Sequence, residues 1–78
     1  MEHELKILPQ YFEAVWSGRK TFEVRFDDRG YKVGDVLVLK EWDKGVFTGR
    51  ETKVMVTYLY RGDGTNGVSE NTVVMSIK

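Results

Sequence analysis

Apolar and polar residues alternate over the first few positions of the chain. Within residues 3–8, Leu5 and Ile7 fall on one face and polar residues fall between them. Strict alternation of this kind is typical of a strand with one buried face. Pro9 ends the pattern, since proline has no N–H for a strand ladder and suits the first turn of a helix. The chain is therefore predicted to open with a strand that leads directly into a helix.

A helical spacing follows, from Pro9 to about Ser17. One apolar stripe at i, i+3 and i+4 is expected to face the core, and it consists of Phe12, Val15 and Trp16. Gly18 comes directly after this stripe, where glycine commonly ends a helix in the left-handed conformation. The pattern predicts one short helix near the N-terminus.

Alternation returns over residues 21–27. Phe22, Val24 and Phe26 share one face, which we expect to be core because it is aromatic and β-branched. The opposite face is polar and includes Glu23 and Arg25, so it is expected to line either solvent or a cleft. This segment predicts the second strand.

Three further strands are predicted. Residues 36–39 are apolar on both faces, which indicates a central strand, and residues 41–45 are interpreted as the turn that ends it. Residues 53–60 alternate, with one side formed by Val54, Val56, Tyr58 and Tyr60. Residues 61–71 form a glycine-rich loop before a last strand at 72–77. The order strand–helix–strand–strand–strand–strand predicts an α+β, mainly β fold: a small mixed barrel of about five strands with one N-terminal helix. A flat open sheet with the helix on one face is the alternative.

Composition limits the class of protein. A chain of 78 residues allows a single domain, 1–78, and the absence of cysteine fits a reducing cytoplasm. No apolar run approaches the length of about 20 residues that spans a bilayer, and no signal peptide is expected. His3 is the only histidine, so neither a metal nor a cofactor is expected.

Charge is balanced, with 12 Lys and Arg against 12 Asp and Glu. Long, sequence-independent binding of nucleic acid depends on excess positive charge, so a short or small ligand is favoured. The charged residues Lys20, Glu23 and Arg25 cluster where the helix gives way to the second strand. They converge only if Lys20 lies in an irregular turn, which Gly18 permits. Spacing alone leaves a surface ion-pair group as the alternative.

Residues 18–25 read Gly-Arg-Lys-Thr-Phe-Glu-Val-Arg and match G-x-K-x-x-E-x-R at every defined position. This segment resembles the signature of the ASCH domain family, within the PUA-like superfamily of small β-barrels. The Val33-Gly34-Asp35 turn before an apolar strand is similar to the same barrels. The resemblance covers nearly the whole chain and extends to a subgroup of small bacterial and phage proteins.

The resemblance implies binding of single-stranded RNA, or of a nucleoside or nucleotide, in a cleft beside the helix. In that interpretation Arg25 offers a planar fork of donors and Lys20 a mobile cation. Glu23 orients both or accepts from a base amino group. Arg29 and Trp42 are expected at the edge of the cleft, and Trp42 is either a core anchor or a platform on which a base stacks.

Two other functions remain open. Some ASCH relatives resemble small amidohydrolases or nucleases, and a hydrolase here would use Lys20 and Glu23 as its catalytic groups. In the deacylase group a threonine acts with the lysine, and its position is occupied here by Glu23. The third function is a protein-interaction role, such as modulation of a host factor.

Overall fold

The computed structural model of the chain describes residues 1–78. Its elements are β1 (Glu2–Ile7), α1 (Pro9–Trp16), β2 (Phe22–Phe26), β3 (Val36–Asp43), β4 (Val46–Arg61) and β5 (Thr72–Ile77). The predicted order of one strand, one helix and four strands is confirmed, as is the mainly β class. No helix in the structure has the length and apolar character needed to cross a bilayer.

The five strands form one mixed sheet in the order β1-β3-β4-β5-β2. β1 runs parallel to β3, and every other neighbouring pair is antiparallel. The long β4 pairs with β3 through its first part and with β5 through its last part. β1 and β2 are left as the two edges, with no backbone ladder between them. The sheet is therefore mixed and five-stranded but not closed by strand pairing.

The core lies between the sheet and α1. Ten buried residues form it: Leu5, Ile7, Phe12, Tyr31, Leu37, Leu39, Val56, Val73, Met75 and Ile77. The two-sided apolar run in β3 is buried on both faces, with Leu37 and Val38 both nearly inaccessible, so the prediction of a central strand is confirmed. This core includes Leu5 and Ile7 of β1, whereas β2 contributes no residue to it and is held by its backbone pairing with β5.

The hairpin between β3 and β4 is longer than predicted. Residues 41–45 were expected to form a turn, but β3 continues to Asp43 and the turn consists of Lys44 and Gly45 alone. Both turn residues have positive φ, 51° and 83°, as a two-residue turn matching the sheet twist requires. The hairpin extends beyond the rest of the sheet and carries Trp42 on β3 and Phe47 on β4.

Trp16 is not part of the core, contrary to the prediction from the helical stripe. Its side chain is 63% exposed, whereas Phe12 is fully buried. The two rings lie nearly parallel, with centroids 5.8 Å apart. The helix ends at Trp16 after eight residues, so this last position lies at the rim of the core and covers Phe12 from outside.

The two faces of β2 are the reverse of the prediction. Phe22, Val24 and Phe26 are exposed, and Glu23 is buried. The register explains this reversal, because Glu23 lies opposite Met75, a core residue of β5. Residues directly opposite in an antiparallel pair point to the same side, so Glu23 points inward.

A bulge in β4 overturns the predicted alternation of that strand. The register shifts between Val56 and Tyr58, so these residues do not share a face. Val56 is buried, whereas Tyr58 and Tyr60 are exposed on the outer side of the sheet. The extra residue, Thr57, is the irregularity that a strict period of two does not allow for.

Candidate functional site

The turn after α1 brings Lys20 to the start of β2. Gly18 adopts a φ of +80° and donates its backbone N–H to the carbonyl of Val15 at 3.0 Å. The N–H of Lys20 reaches back to the carbonyl of Ala14 at 2.9 Å. This left-handed helix ending satisfies two free carbonyls and turns the chain sharply. Lys20 lies in an irregular turn, which is the condition that convergence requires, and its side chain reaches β2.

Glu23 is the centre of the charged cluster. Its Oε1 accepts a hydrogen bond from Lys20 Nζ at 2.5 Å, and its Oε2 accepts one from Arg25 Nε at 3.0 Å. The Glu23 side chain is only 4% exposed, against 17% for Lys20 and 25% for Arg25. A buried carboxylate is tolerated when both oxygens are hydrogen-bonded to cations. The three residues singled out in the sequence therefore meet, with Glu23 orienting the other two.

Two arginines bridge the gap between the edge strands. Arg25 Nη2 donates to the backbone carbonyl of Lys6 at 3.0 Å. Arg29 Nη1 donates to the backbone carbonyl of Glu4 at 2.9 Å. These carbonyls face away from β3 on the free edge of β1, where no strand pairs with them. Side chains therefore replace a backbone ladder along this seam between β1 and β2.

Asp27 fixes the loop that carries Arg29. Its Oδ1 accepts hydrogen bonds from three successive backbone N–H groups, those of Arg29, Gly30 and Tyr31, at 2.8–3.3 Å. Its Oδ2 accepts one from Arg61. Burial acts to raise the pKa of Asp27, but the Arg61 guanidinium and the backbone donors outweigh it and hold the pKa below its ordinary value. These hydrogen bonds hold the loop from which the Arg29 side chain projects.

A cavity of about 440 Å³ opens at one end of the seam, and we call it the base cavity. Its walls are formed by Lys6, Ile7, Leu8, Tyr11, Lys20, Phe22, Glu23, Val24 and Arg25. Leu8, Tyr11 and Phe22 are each about half exposed, so they present apolar surface at its mouth. Lys20 Nζ lies 4.9 Å from the Phe22 ring centroid. The cavity combines apolar walls with convergent charged donors, as small-molecule sites do.

A second cavity, of about 380 Å³, adjoins the first, and we call it the cationic cavity. Four cations and one carboxylate line it together with two apolar side chains: Lys6, Arg25, Arg29, Lys40, Glu4, Leu5 and Phe47. Lys40 is paired with Glu4 at 3.3 Å, and Lys6 has no carboxylate partner. Lys6 and Arg25 line both cavities. The cationic cavity is therefore suited to an anionic group of a ligand held in the base cavity.

Trp42 lies beside the cationic cavity on the extended hairpin. Its ring is partly buried and meets the Phe47 ring edge to face, with centroids 4.7 Å apart. Lys6 Nζ lies 4.1 Å from the Trp42 ring centroid, which is a cation–π contact. Trp42 thus contacts a residue of the site without lining either cavity.

Most wall residues of the two cavities were not assigned to the site from the sequence, and Lys6, Leu8, Tyr11 and Lys40 are among them. Lys6 and Lys40 pair across the parallel strands β1 and β3, which no local pattern reveals. Tyr11 borders the apolar stripe of α1 and is about half exposed, and its only signal was an aromatic residue outside that stripe. No group of three or more His, Cys, Asp or Glu side chains converges as a set of metal ligands.

Comparison with known proteins gives a family and a fold. A family described as a domain of unknown function (DUF3850) matches residues 2–77. An "Uncharacterized 12.9 kDa protein in GpA 3'region" of Escherichia phage P2 is 47% identical over 55 residues, which cover 70% of this chain and 50% of the relative. The chain thus spans about half the length of that relative. The crystal structure of hypothetical protein PH0355 aligns with a TM-score of 0.69 at 18% identity, covering 100% of this chain and 98% of that one. This likeness supports the fold alone.

Proposed function

The chain belongs to the DUF3850 family, whose function is unknown, and we propose that it binds single-stranded RNA or a nucleotide in the cleft between β1 and β2. The observation that carries this proposal is the pair of adjoining cavities that share Lys6 and Arg25. The first cavity has five apolar residues beside its charged groups, whereas the second has four cations and only two apolar residues. A nucleotide has the same division, since a flat base is joined to a charged phosphate.

We further propose that the fold is an ASCH domain, a PUA-like barrel. Support comes from the G-x-K-x-x-E-x-R residues, because Lys20, Glu23 and Arg25 form one hydrogen-bonded cluster. Additional support comes from the seam, where Arg25 and Arg29 connect the two edge strands. In this proposal the cleft is the opening of the barrel, and the arginines keep its two edges together.

The base lies in the base cavity in this proposal. Tyr11 offers an exposed ring on which a base can stack, a contact worth about 1–3 kcal/mol per base. Arg25 uses Nε and Nη2 within the protein, which leaves Nη1 for an acceptor on the ligand. Both oxygens of Glu23 already accept hydrogen bonds, so its role is to orient Lys20 and Arg25.

The phosphate lies in the cationic cavity. Lys6 is its main partner because no carboxylate neutralises this lysine, and Lys40 and Arg29 line the same cavity. A phosphate contact of this kind makes affinity depend on salt, with a slope close to 0.7 per phosphate neutralised on a single strand. Binding of a nucleotide is therefore expected to weaken as salt rises, and binding of the matching nucleoside is not.

Arg25→Ala tests the proposal, with Arg19→Ala as the matched control. Arg19 lies next to Lys20 but bonds only to Ser17 Oγ, at 3.0 Å, and lines neither cavity. We expect Arg25→Ala to weaken binding of adenosine 5′-monophosphate and of a hexaribonucleotide about 10- to 100-fold, from the loss of a charged hydrogen bond. Arg19→Ala loses the same charge without that contact. The measurement is an NMR titration of each variant.

The result also decides between the alternatives. Equal affinity of wild type and a folded Arg25→Ala variant would overturn the cleft assignment. A hydrolase is the second candidate, favoured by the buried Glu23 that binds the Lys20 ammonium at the cavity wall. It predicts turnover of acylated nucleosides or short RNA by the wild type that Lys20→Ala abolishes. Equal turnover in both proteins would remove that candidate.

A further inference from the structure

The outer side of the β4–β5–β2 part of the sheet is a mainly apolar surface that no helix or strand of the chain covers. The loop between β4 and β5 reaches only its margin, where the Tyr60 hydroxyl donates to the backbone carbonyl of Asn66 at 3.3 Å. Paired residues on these antiparallel strands point to the same side, which builds rows across the sheet. The rows contain Phe22, Val24, Phe26, Tyr58, Tyr60 and Val74, and we call this surface the outer aromatic face.

Most of this face is exposed and uncharged, and Lys20 Nζ approaches it at one edge, 4.9 Å from the Phe22 ring centroid. Tyr58 and Phe26 are 63% and 64% exposed, and Val24 at the centre is 52% exposed. The other outward positions of β5 are Thr72 and Ser76, which are uncharged. The largest apolar patch on a monomeric protein is usually about 300–600 Å² and often functional. A sheet with apolar residues on both sides is expected to have a partner on each.

We propose that a second copy of this chain covers the outer aromatic face and forms a two-fold symmetric dimer. Lys20, the cation lying over a ring of this face, is already bonded to Glu23, so the face lacks the excess positive charge on which nucleic-acid binding depends. A mainly apolar patch offers little that selects a charged partner, and it is complementary to itself, as a two-fold interface needs.

The area supports the same conclusion. A fully buried aromatic side chain removes about 150–250 Å² of surface from water. With four of them about half exposed, the face offers on the order of 500 Å² per copy when its valines are included. Two copies then bury about 1,000 Å², where specific interfaces begin. Sheets that pack face to face lie about 10 Å apart, a spacing that interdigitated Phe and Tyr rings fill. A dimer of modest, micromolar affinity is expected.

The dimer places the two clefts beside the interface. Phe22 and Val24 belong to the outer aromatic face and also to the rim of the base cavity. Arg25 points to the other side of β2 from Phe22 and Val24, so dimerisation leaves it accessible. This inference does not depend on what the cleft binds.

Sedimentation equilibrium of the full chain, from micromolar to millimolar concentration, tests the dimer. The variants are Tyr58→Glu and Phe26→Glu, which place a charge on the face without touching either cavity. Val46→Glu is the matched control, because Val46 is 61% exposed on the same strand as Tyr58 but lies on the hairpin. Thermal melts of all four proteins establish that they are folded.

We expect the wild type and Val46→Glu to dimerise alike, and each face variant to raise the dissociation constant about 30-fold or more, as loss of a central aromatic contact does. A wild type that stays monomeric at millimolar concentration overturns the proposal. A dimer that both face variants leave unchanged overturns the assignment to this face. A monomer that binds a different protein through the face also overturns it.

Discussion

At the scale of single residues, Glu23 is the group on which the cluster depends. Glu23→Gln keeps the shape but removes the charge that neutralises Lys20 and Arg25. Because Lys20 and Arg25 are partly exposed and regain water, we expect the free energy of unfolding to fall by about 1–3 kcal/mol. Urea denaturation measures this change. Glu2→Gln is the control, since Glu2 is 57% exposed and its pair with Lys53 spans 3.5 Å.

The control variant is expected to change stability by less than about 0.5 kcal/mol, as surface substitutions usually do. Equal losses in Glu2→Gln and Glu23→Gln would contradict the special role of Glu23. Loss of ligand binding in a stable Glu23→Gln variant would instead place the carboxylate in recognition.

The sequence singled out Lys20, Glu23 and Arg25 and left open whether they converge, and it oriented their strand wrongly. Convergence depended on the turn at Gly18, which the sequence permits and which places Lys20 beside β2 in the structure. The inward direction of Glu23 was not predictable, since an alternating pattern assigns the apolar residues to the core. Apolar residues are usually preferred in the core. Glu23 is buried here because Lys20 and Arg25 donate hydrogen bonds to both of its carboxylate oxygens and compensate for its burial.

At the scale of elements, Gly62 lies where the loop between β4 and β5 packs against itself too closely for a side chain. A Cβ added there would lie 2.0 Å from the backbone carbonyl oxygen of Ser69 and 2.7 Å from a methyl group of Val68. We expect Gly62→Ala to lower the free energy of unfolding by about 1–3 kcal/mol, because a backbone atom must move. Urea denaturation again gives the value.

A double variant separates the two causes of this loss. Val68→Ala removes the methyl group but leaves the carbonyl of Ser69, which is the nearer atom. Gly62→Ala with Val68→Ala is therefore expected to be no more stable than Gly62→Ala. Rescue by the second substitution would show that the side chain, and not the backbone, sets the close approach.

Element order and the short helix were predictable, whereas strand ends were not. The alternation within residues 3–8 and the glycine at position 18 marked the opening strand and the helix correctly. The full length of the β3–β4 hairpin was not predicted, because residues 41–45 have the composition of a turn. In the structure Glu41 is buried and accepts hydrogen bonds from Thr48 and Arg50 across the hairpin. Such a contact becomes visible only when the two strands are placed side by side.

At the scale of the whole molecule, strand pairing determines which side chains line the cavities and which are exposed on the outer side of the sheet. The five strands were foreseen, but the parallel pairing of β1 with β3 and the edge positions of β1 and β2 depend on the complete topology. The edge positions create the seam and its two cavities. The same topology leaves the outer aromatic face uncovered, although alternation had assigned its β2 residues Phe22, Val24 and Phe26 to the core.

Stability is expected to fall in acid, because four carboxyl groups distributed over the fold have lowered pKa values. Hydrogen bonds from His3 lower the pKa of Asp35, those from Arg50 and Thr48 lower that of Glu41, and those from Thr65 lower that of Asp63. Asp27 behaves in the same way, as its Arg61 and backbone donors outweigh burial. Each group binds its proton more weakly in the folded chain than in the unfolded chain.

The sign of the effect follows from linkage. A carboxyl group with a lowered folded pKa stabilises the fold fully above its unfolded pKa, about 4, and loses this contribution as pH falls through the folded value. Urea denaturation between neutral pH and pH near 2 should show a plateau above about pH 5 and a decline below about pH 4. Asp35→Asn removes one titrating group that anchors His3 at 2.8 Å, so this variant should be less stable at neutral pH but decline less in acid. A wild type whose stability is flat down to pH 2, or an Asp35→Asn variant with an unchanged acid slope, would contradict the assignment, because the protons taken up on unfolding would then come from other groups.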